Sequence, residues 1–244
     1  MLTERTTGSV RVLDDETARR AGVLVGFTDR GGGVSKAPYA TLNLAARVGD
    51  DRAAVDQNRA RAAAAVGFEV EALVLARQVH GADVLLAHAG DRGVIGEADV
   101  LVSRAPGQVI GILTADCVPV ALSGDEVVAL THAGWRGLVG GAIEAAVAAV
   151  GDVRSAWVGP SIHSCCYEVG PEVVAAFVER GLPVAAPDRV DPGRAAVAVL
   201  RREGIEDIDA ATDCTSCDTR YFSYRRDGVT GRQGAFIGLL EGAA

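Results

Sequence analysis

Eight apolar runs of strand length, most of them closed by Gly, Asp or Pro, constrain this chain more than any other feature. They cover Val23 to Phe27, Leu73 to Ala76, Val84 to Leu86, Val100 to Val102, Val109 to Leu113, Val118 to Leu122, Val127 to Leu130 and Ala156 to Val158. Short apolar runs bounded by turn residues suit strands buried on both faces. Helical patterns separate only some of them: Ala53 to Val66, Gly140 to Val150, Pro171 to Arg180 and Gly193 to Gly204. Pro171 fits a first helical turn, where its missing N–H costs nothing. From Val84 to Leu130 the strands succeed one another at hairpin spacing, which breaks βαβ alternation. That predicts an α+β fold with mixed β-sheets covered by helices, rather than a doubly wound parallel sheet. No repeat or Pro/Gly/Ser linker divides the chain, so a single domain over 1–244 is expected.

Charge excludes some partners. The formal net charge of −8 disfavours nucleic acid and anionic membranes, which need a positive field. No apolar stretch reaches the roughly 18 to 20 residues of a membrane span, and Met1 to Arg5 carries no secretion signal. Five cysteines, an odd number, suggest reduced thiols in a cytoplasmic protein. The expected partner is a small-molecule substrate, and the chain is expected to be a monomer or small homo-oligomer.

Three short segments hold the reactive residues: Gln78-Val79-His80-Gly81, Thr114-Ala115-Asp116-Cys117 and Thr131-His132-Ala133-Gly134-Trp135-Arg136-Gly137. Each lies at or just after the end of an apolar strand, where side chains project from a rigid edge. A His/Cys/His set suits zinc, supplying three ligands and leaving a fourth position for water or substrate. Spacing alone leaves a second reading open, in which Cys117 is a nucleophile activated by one histidine.

Seven motifs appear in order: Phe27 to Ser35, Tyr39 to Leu44, Gln78 to Ala82, Ala115-Asp116-Cys117, His132 to Gly137, Cys166 to Gly170 and Phe222 to Arg232. Over about residues 23–240 the chain closely resembles the YfiH-like family, variously called laccase-domain, polyphenol-oxidase-like or purine nucleoside phosphorylase proteins. The resemblance implies that His80, Cys117 and His132 are the zinc and active-site residues. It also implies phosphorolysis of adenosine, guanosine, inosine and methylthioadenosine, with inorganic phosphate as co-substrate and adenosine deamination as an associated activity. Two other functions stay open: an amidohydrolase that removes serine from a UDP-linked muramyl precursor, and a non-catalytic zinc-binding regulatory protein.

Within these motifs Arg30, Asn43, Trp135 and Arg136 are the expected substrate contacts. Arg30 beside Gly31-Gly32-Gly33 can form an anion cradle, since glycines let backbone N–H groups converge and Arg grips phosphate bidentately. Asp116 is the nearest carboxylate to carry a proton, although strand alternation can turn it away from Cys117. Copper is not expected: a blue-copper centre alone takes two His and a Cys, and the four histidines cannot also fill a trinuclear cluster. Cys165-Cys166 and Cys214-Thr215-Ser216-Cys217 together could read as a structural zinc site, but adjacent cysteines are poor partners for one tetrahedral metal because successive side chains diverge, so ordinary thiols are expected. His88 and His163 are expected at the surface or a pocket rim.

Overall fold

The computed structural model describes residues 1–242. The first half runs β1 (Thr3–Thr7), β2 (Val10–Asp14), α1 (Glu16–Arg20), β3 (Val23–Thr28), α2 (Arg52–Val66), β4 (Leu73–Arg77), β5 (Val84–Ala87), β6 (Gly93–Glu97), β7 (Val100–Ser103) and β8 (Val109–Thr114). The second half runs β9 (Val118–Ser123), β10 (Val128–Ala133), α3 (Trp135–Gly140), α4 (Ala142–Val150), β11 (Ser155–Val158), α5 (Pro171–Glu179), β12 (Val184–Ala186), β13 (Arg189–Val190), α6 (Pro192–Arg202), β14 (Ile208–Ala210), α7 (Tyr224–Asp227) and β15 (Gln233–Leu239).

Two mixed sheets carry the architecture. A seven-stranded sheet has the order β1-β2-β3-β15-β8-β4-β6, and a six-stranded one has the order β14-β11-β9-β10-β7-β5. The pairs β4–β8, β4–β6, β5–β7 and β11–β14 are parallel, and the remaining pairs are antiparallel. The α+β fold read from the sequence is therefore the fold observed.

The inner strands of each sheet are buried on both faces, so their alternate residues enter different cores. Val25, Phe27, Ile110, Ile112 and Ile237 of one sheet meet Leu101, Ala121, Val128, Leu130 and Trp157 of the other. The intervening residues Val100, Val102, Val118, Val120 and Leu122 turn outward and are covered by α3 to α6 through Leu138, Ile143, Ala146, Phe177, Val199 and Leu200. On the far side Val12, Leu24, Leu75 and Phe236 pack under α2, at Ala62, Ala65 and Val66. The order of layers is helix, sheet, sheet, helix. A one-residue slip in any inner strand would exchange its two faces, so the register is fixed from both sides.

The eight apolar runs all became strands. The run from Val127 starts one residue later and continues to Ala133, which brings His132 inside β10. β15 was not anticipated, yet it lies at the centre of the larger sheet between β3 and β8. Its glycines explain the omission: a Cβ on Gly234 would overlap Phe236 Cζ, and one on Gly238 would fall 2.6 Å from the Gln108 carbonyl oxygen. Close packing demands glycine there, and glycine dilutes the apolar pattern. Among the described residues no helix is long and apolar enough to cross a membrane.

Candidate active site

Two of the chain's crossings between the sheets carry reactive residues to one end of the sandwich. β4 leads into β5 of the other sheet through His80, and β8 leads into β9 through Cys117. Because β4 and β8 are parallel neighbours, both crossings occur at the same rim. β9 and β10 pair Val118 with Ala133 and Pro119 with His132, so the end of β10 arrives beside Cys117. The ligand atoms of His80, Cys117 and His132 all lie within 4.8 Å of one another. The two imidazoles meet edge to face with centroids 4.9 Å apart. The cluster read from the sequence is thus a cluster in space.

Two non-glycine residues among those described have positive φ, His80 at 62° and Asp116 at 93°. Left-handed backbone is unfavourable for such residues, on the order of 1–3 kcal/mol each, and persists where the surroundings over-determine it. Asp99 does this for His80. Its Oδ2 accepts from the backbone N–H groups of Val79 at 3.0 Å and Gly81 at 2.7 Å, on either side of His80. Its Oδ1 lies 2.7 Å from His132 Nδ1, and its carbonyl accepts from the His132 N–H at 2.8 Å. One carboxylate therefore sets both histidines.

Asp99 is 1% exposed and was missing from the residues expected at the site. The only local signal was an acid directly ahead of the apolar run Val100 to Val102. Burial pushes its carboxyl up, but the hydrogen bonds from His132, Gly81 and Val79 hold it below the usual range.

The charges follow from this geometry. Burial favours a neutral Cys117, but His132 and His80 outweigh it and lower the thiol to about 6. Burial also opposes a charged His132, yet Cys117 and Asp99 raise it to about 9. Without a cation, Cys117 and His132 form a thiolate–imidazolium pair. The same set fits zinc. Asp99 engages His132 Nδ1 and leaves Nε2 for an ion, as carboxylates behind metal-binding histidines do. Three donors with an open fourth side are the arrangement of a catalytic zinc site. Gly134 keeps the space clear, because a Cβ there would lie 3.1 Å from both Cys117 Sγ and His80 Cδ2.

The other expected residues fall differently. Asn43 is fully buried. Its amide donates to the Ala45 carbonyl and Asp50, and its Oδ1 accepts from the Ala45 and Arg232 N–H groups. This corrects the expected substrate contact: the side chain has no free group and no open face. The glycine cradle is corrected too. Gly31 N–H donates to Asp29, Gly33 N–H to Thr41 and Val34 N–H to Asn58, so these groups face inward. Arg30 is half-buried, donates to the Ala40 carbonyl at 2.8 Å, and lies over the Phe222 ring.

Asp116 is buried, and each of its carboxylate oxygens is engaged. Oδ1 accepts from Thr215 Oγ1 and Oδ2 from the Arg225 N–H, both at 2.7 Å. Trp135 opens α3 and is partly buried against the core, with the exposed Arg136 guanidinium 4.4 Å from its ring centroid. Arg232, at the end of the last motif, is partly buried, and burial lowers its guanidinium against the opposing charges of Cys117 and Asp116. Neither of two surface clefts of about 650 and 790 Å³ is lined by His80, Cys117 or His132. The cluster sits at the sandwich rim, apart from both.

Residues 24–240 match the family described as multi-copper polyphenol oxidoreductase laccase. The chain belongs to the YfiH-like laccase-domain family. Within it, the chain is 40% identical over 236 residues to a purine nucleoside phosphorylase of Streptomyces coelicolor, covering 89% of this chain and 96% of the relative. It is 40% identical over 233 residues to the purine nucleoside phosphorylase YfiH of Escherichia coli, covering 90% and 95%. The crystal structure of YlmD from Geobacillus stearothermophilus superposes with a TM-score of 0.89 at 33% identity, covering 98% and 99%. The laccase part of the family's name meets an obstacle here. His88 and His163 do not belong to the three-residue cluster, so this YfiH-like rim offers two histidines and one thiol.

Proposed function

We propose that this chain is a zinc-dependent purine nucleoside phosphorylase with adenosine deaminase as a side activity. The convergence of His80, Cys117 and His132, with His132 oriented by Asp99, carries the reading. The names of the relatives give the substrate class. His80, Cys117 and His132 would hold the ion, which supplies positive charge to polarise a bound oxygen.

In phosphorolysis the bond from sugar C1′ to the purine nitrogen breaks, a phosphate oxygen bonds to C1′, and the purine leaves with a proton. The residues of the rim fit these needs in kind. Arg136 and Arg232 offer guanidinium groups to phosphate on an otherwise acidic protein. Trp135 supplies an aromatic face for the base. Burial and the nearby Cys117 charge raise Tyr167, which keeps its phenol protonated as a hydrogen-bond donor. Asp116 acts as a positioning residue: with both oxygens engaged, it ties the loops at Thr215 and Arg225 to the residue next to Cys117.

The test is incubation of zinc-replete protein with inosine or adenosine and phosphate. Free base and ribose 1-phosphate are expected, and absence of both products defeats the reading.

One observation favours a second reading. The line Cys117–His132–Asp99 has the nucleophile, base and orienting carboxylate of a thiol hydrolase. That arrangement suits an amidohydrolase acting on a muramyl precursor, and release of serine from the serine-bearing UDP-linked substrate would establish it.

A further inference from the structure

We infer that Cys165, Cys166, Cys214 and Cys217 form a second metal site, a closed tetrathiolate that takes one zinc ion as a structural tie. Adjacent cysteines are poor partners for one metal where successive side chains diverge, as they do along a strand. These cysteines are not on strands. Ser164 to Cys166 form a turn closed by the Cys166 and Tyr167 N–H groups on the His163 carbonyl, at 3.0 and 2.9 Å. Cys214 to Cys217 form a second turn, closed by the Asp218 N–H on the Cys214 carbonyl at 2.9 Å. A bridge between Ser161 and Cys214 sets the two turns side by side.

The four sulfurs lie within 4.8 Å of one another. Cys217 Sγ is 3.2 Å from Cys166 Sγ and 3.4 Å from Cys165 Sγ. A zinc tetrahedron with Zn–S of about 2.3 Å sets its sulfurs roughly 3.8 Å apart, inside that range. The enclosed space suits a single ion rather than a multi-iron cluster. All four cysteines are free thiols. A disulfide at Cys217 would have to choose between two near-equal partners and would leave two thiols unused. One ion uses all four.

The surroundings suit the charge. Zinc with four thiolates is a dianion, and three arginines grip the turns that would carry it. Arg189 donates to the Cys165 carbonyl at 2.9 Å, Arg225 to the Cys166 and Glu168 carbonyls at 3.3 and 2.8 Å, and Arg226 to the Thr215 and Ser216 carbonyls at 3.0 and 3.3 Å. The His163 N–H donates to Cys214 Sγ at 3.4 Å, a contact that stabilises a thiolate. With four sulfurs and no open position, the site is structural rather than catalytic. Its reach is visible in Thr215, which lies inside the second turn and holds Asp116.

The inference is independent of the purine reading and is tested without turnover. The full-length His132→Ala variant disables the first cluster and is expected to retain one zinc per chain. Exchanged into cobalt(II), it should show the strong thiolate-to-cobalt absorption of a four-sulfur tetrahedron. The triple variant His132→Ala/Cys214→Ser/Cys217→Ser should lose both the metal and the band. If that variant does not fold, Cys165→Ser in the His132→Ala background replaces it, with a weaker, blue-shifted band expected. An unchanged band, a His132→Ala protein without stoichiometric zinc, or a native Cys166–Cys217 or Cys165–Cys217 disulfide found by mass spectrometry would overturn the proposal. Failure of the active-site zinc instead would appear as one zinc per wild-type chain, retained when His132 is replaced.

Discussion

The two donor clusters of this molecule are built on opposite plans. His80, Cys117 and His132 come from three strand ends more than ten residues apart, meet at the junction of two sheets, and depend on a buried carboxylate and two left-handed residues. Cys165, Cys166, Cys214 and Cys217 come from two turns, lie exposed or half-exposed, and are braced by arginines on backbone carbonyls. The first cluster offers three candidate donors of two kinds and an open side; the second offers four of one kind that would close around an ion. Strain and burial gather where a ligand position is left free, and charge-neutralised turns suffice where it is not.

The comparison breaks hardest at Cys117. Cys117→Ala should reduce purine phosphorolysis on the order of 1,000-fold or more, as expected of a residue acting within a unit. Ribose 1-phosphate release would measure it, with circular dichroism confirming the fold. An unaffected rate would move the chemistry away from this cluster.

Asp99 tests whether the first cluster depends on its support. Asp99→Asn keeps the shape but weakens the hold on His132, and should cost about 10–100-fold in zinc affinity or rate. Asp99→Ala also leaves the Val79 and Gly81 N–H groups and His132 Nδ1 without their shared acceptor, and should destabilise the fold by about 3–5 kcal/mol in urea unfolding. A neutral outcome for both would show that β10 alone places His132.

At the second cluster stability should respond before rate. Cys214→Ser is expected to lower unfolding free energy by about 1–3 kcal/mol, with a smaller change in turnover than Asp99→Asn. The reverse order would make the two clusters one functional unit. The smallest catalytic effect is expected at Asn43. Asn43→Ala orphans the Arg232 and Ala45 N–H groups and should cost about 1–3 kcal/mol of stability, while KM for the nucleoside stays at the wild-type value. A raised KM would restore Asn43 as a substrate contact.

Much of this was legible in one dimension. Apolar runs closed by Gly, Asp or Pro located eight strands, since a strand buried on both faces needs no partner to declare itself. β1 and β15 escaped for different reasons. Thr3–Thr7 is an exposed polar edge, and Gln233–Leu239 is broken by glycines that only its neighbours require. His80, Cys117 and His132 were readable because imidazole and thiol are rare, and each stands at a strand end.

What the sequence determined by itself was residue type and local period: which segments are strands and which side chains can bind a metal. What only the tertiary structure decided was which of those side chains share a space. Asp99 could not be distinguished from any acid before a strand until β7 and β10 paired and brought its carboxylate to His132. Asn43 looked available until burial and four hydrogen bonds closed it. The four cysteines looked divergent until two turns folded them toward one point. Hydrogen bonding and coordination act over a few ångströms, and distances across the chain are set by sheet pairing rather than by spacing in sequence.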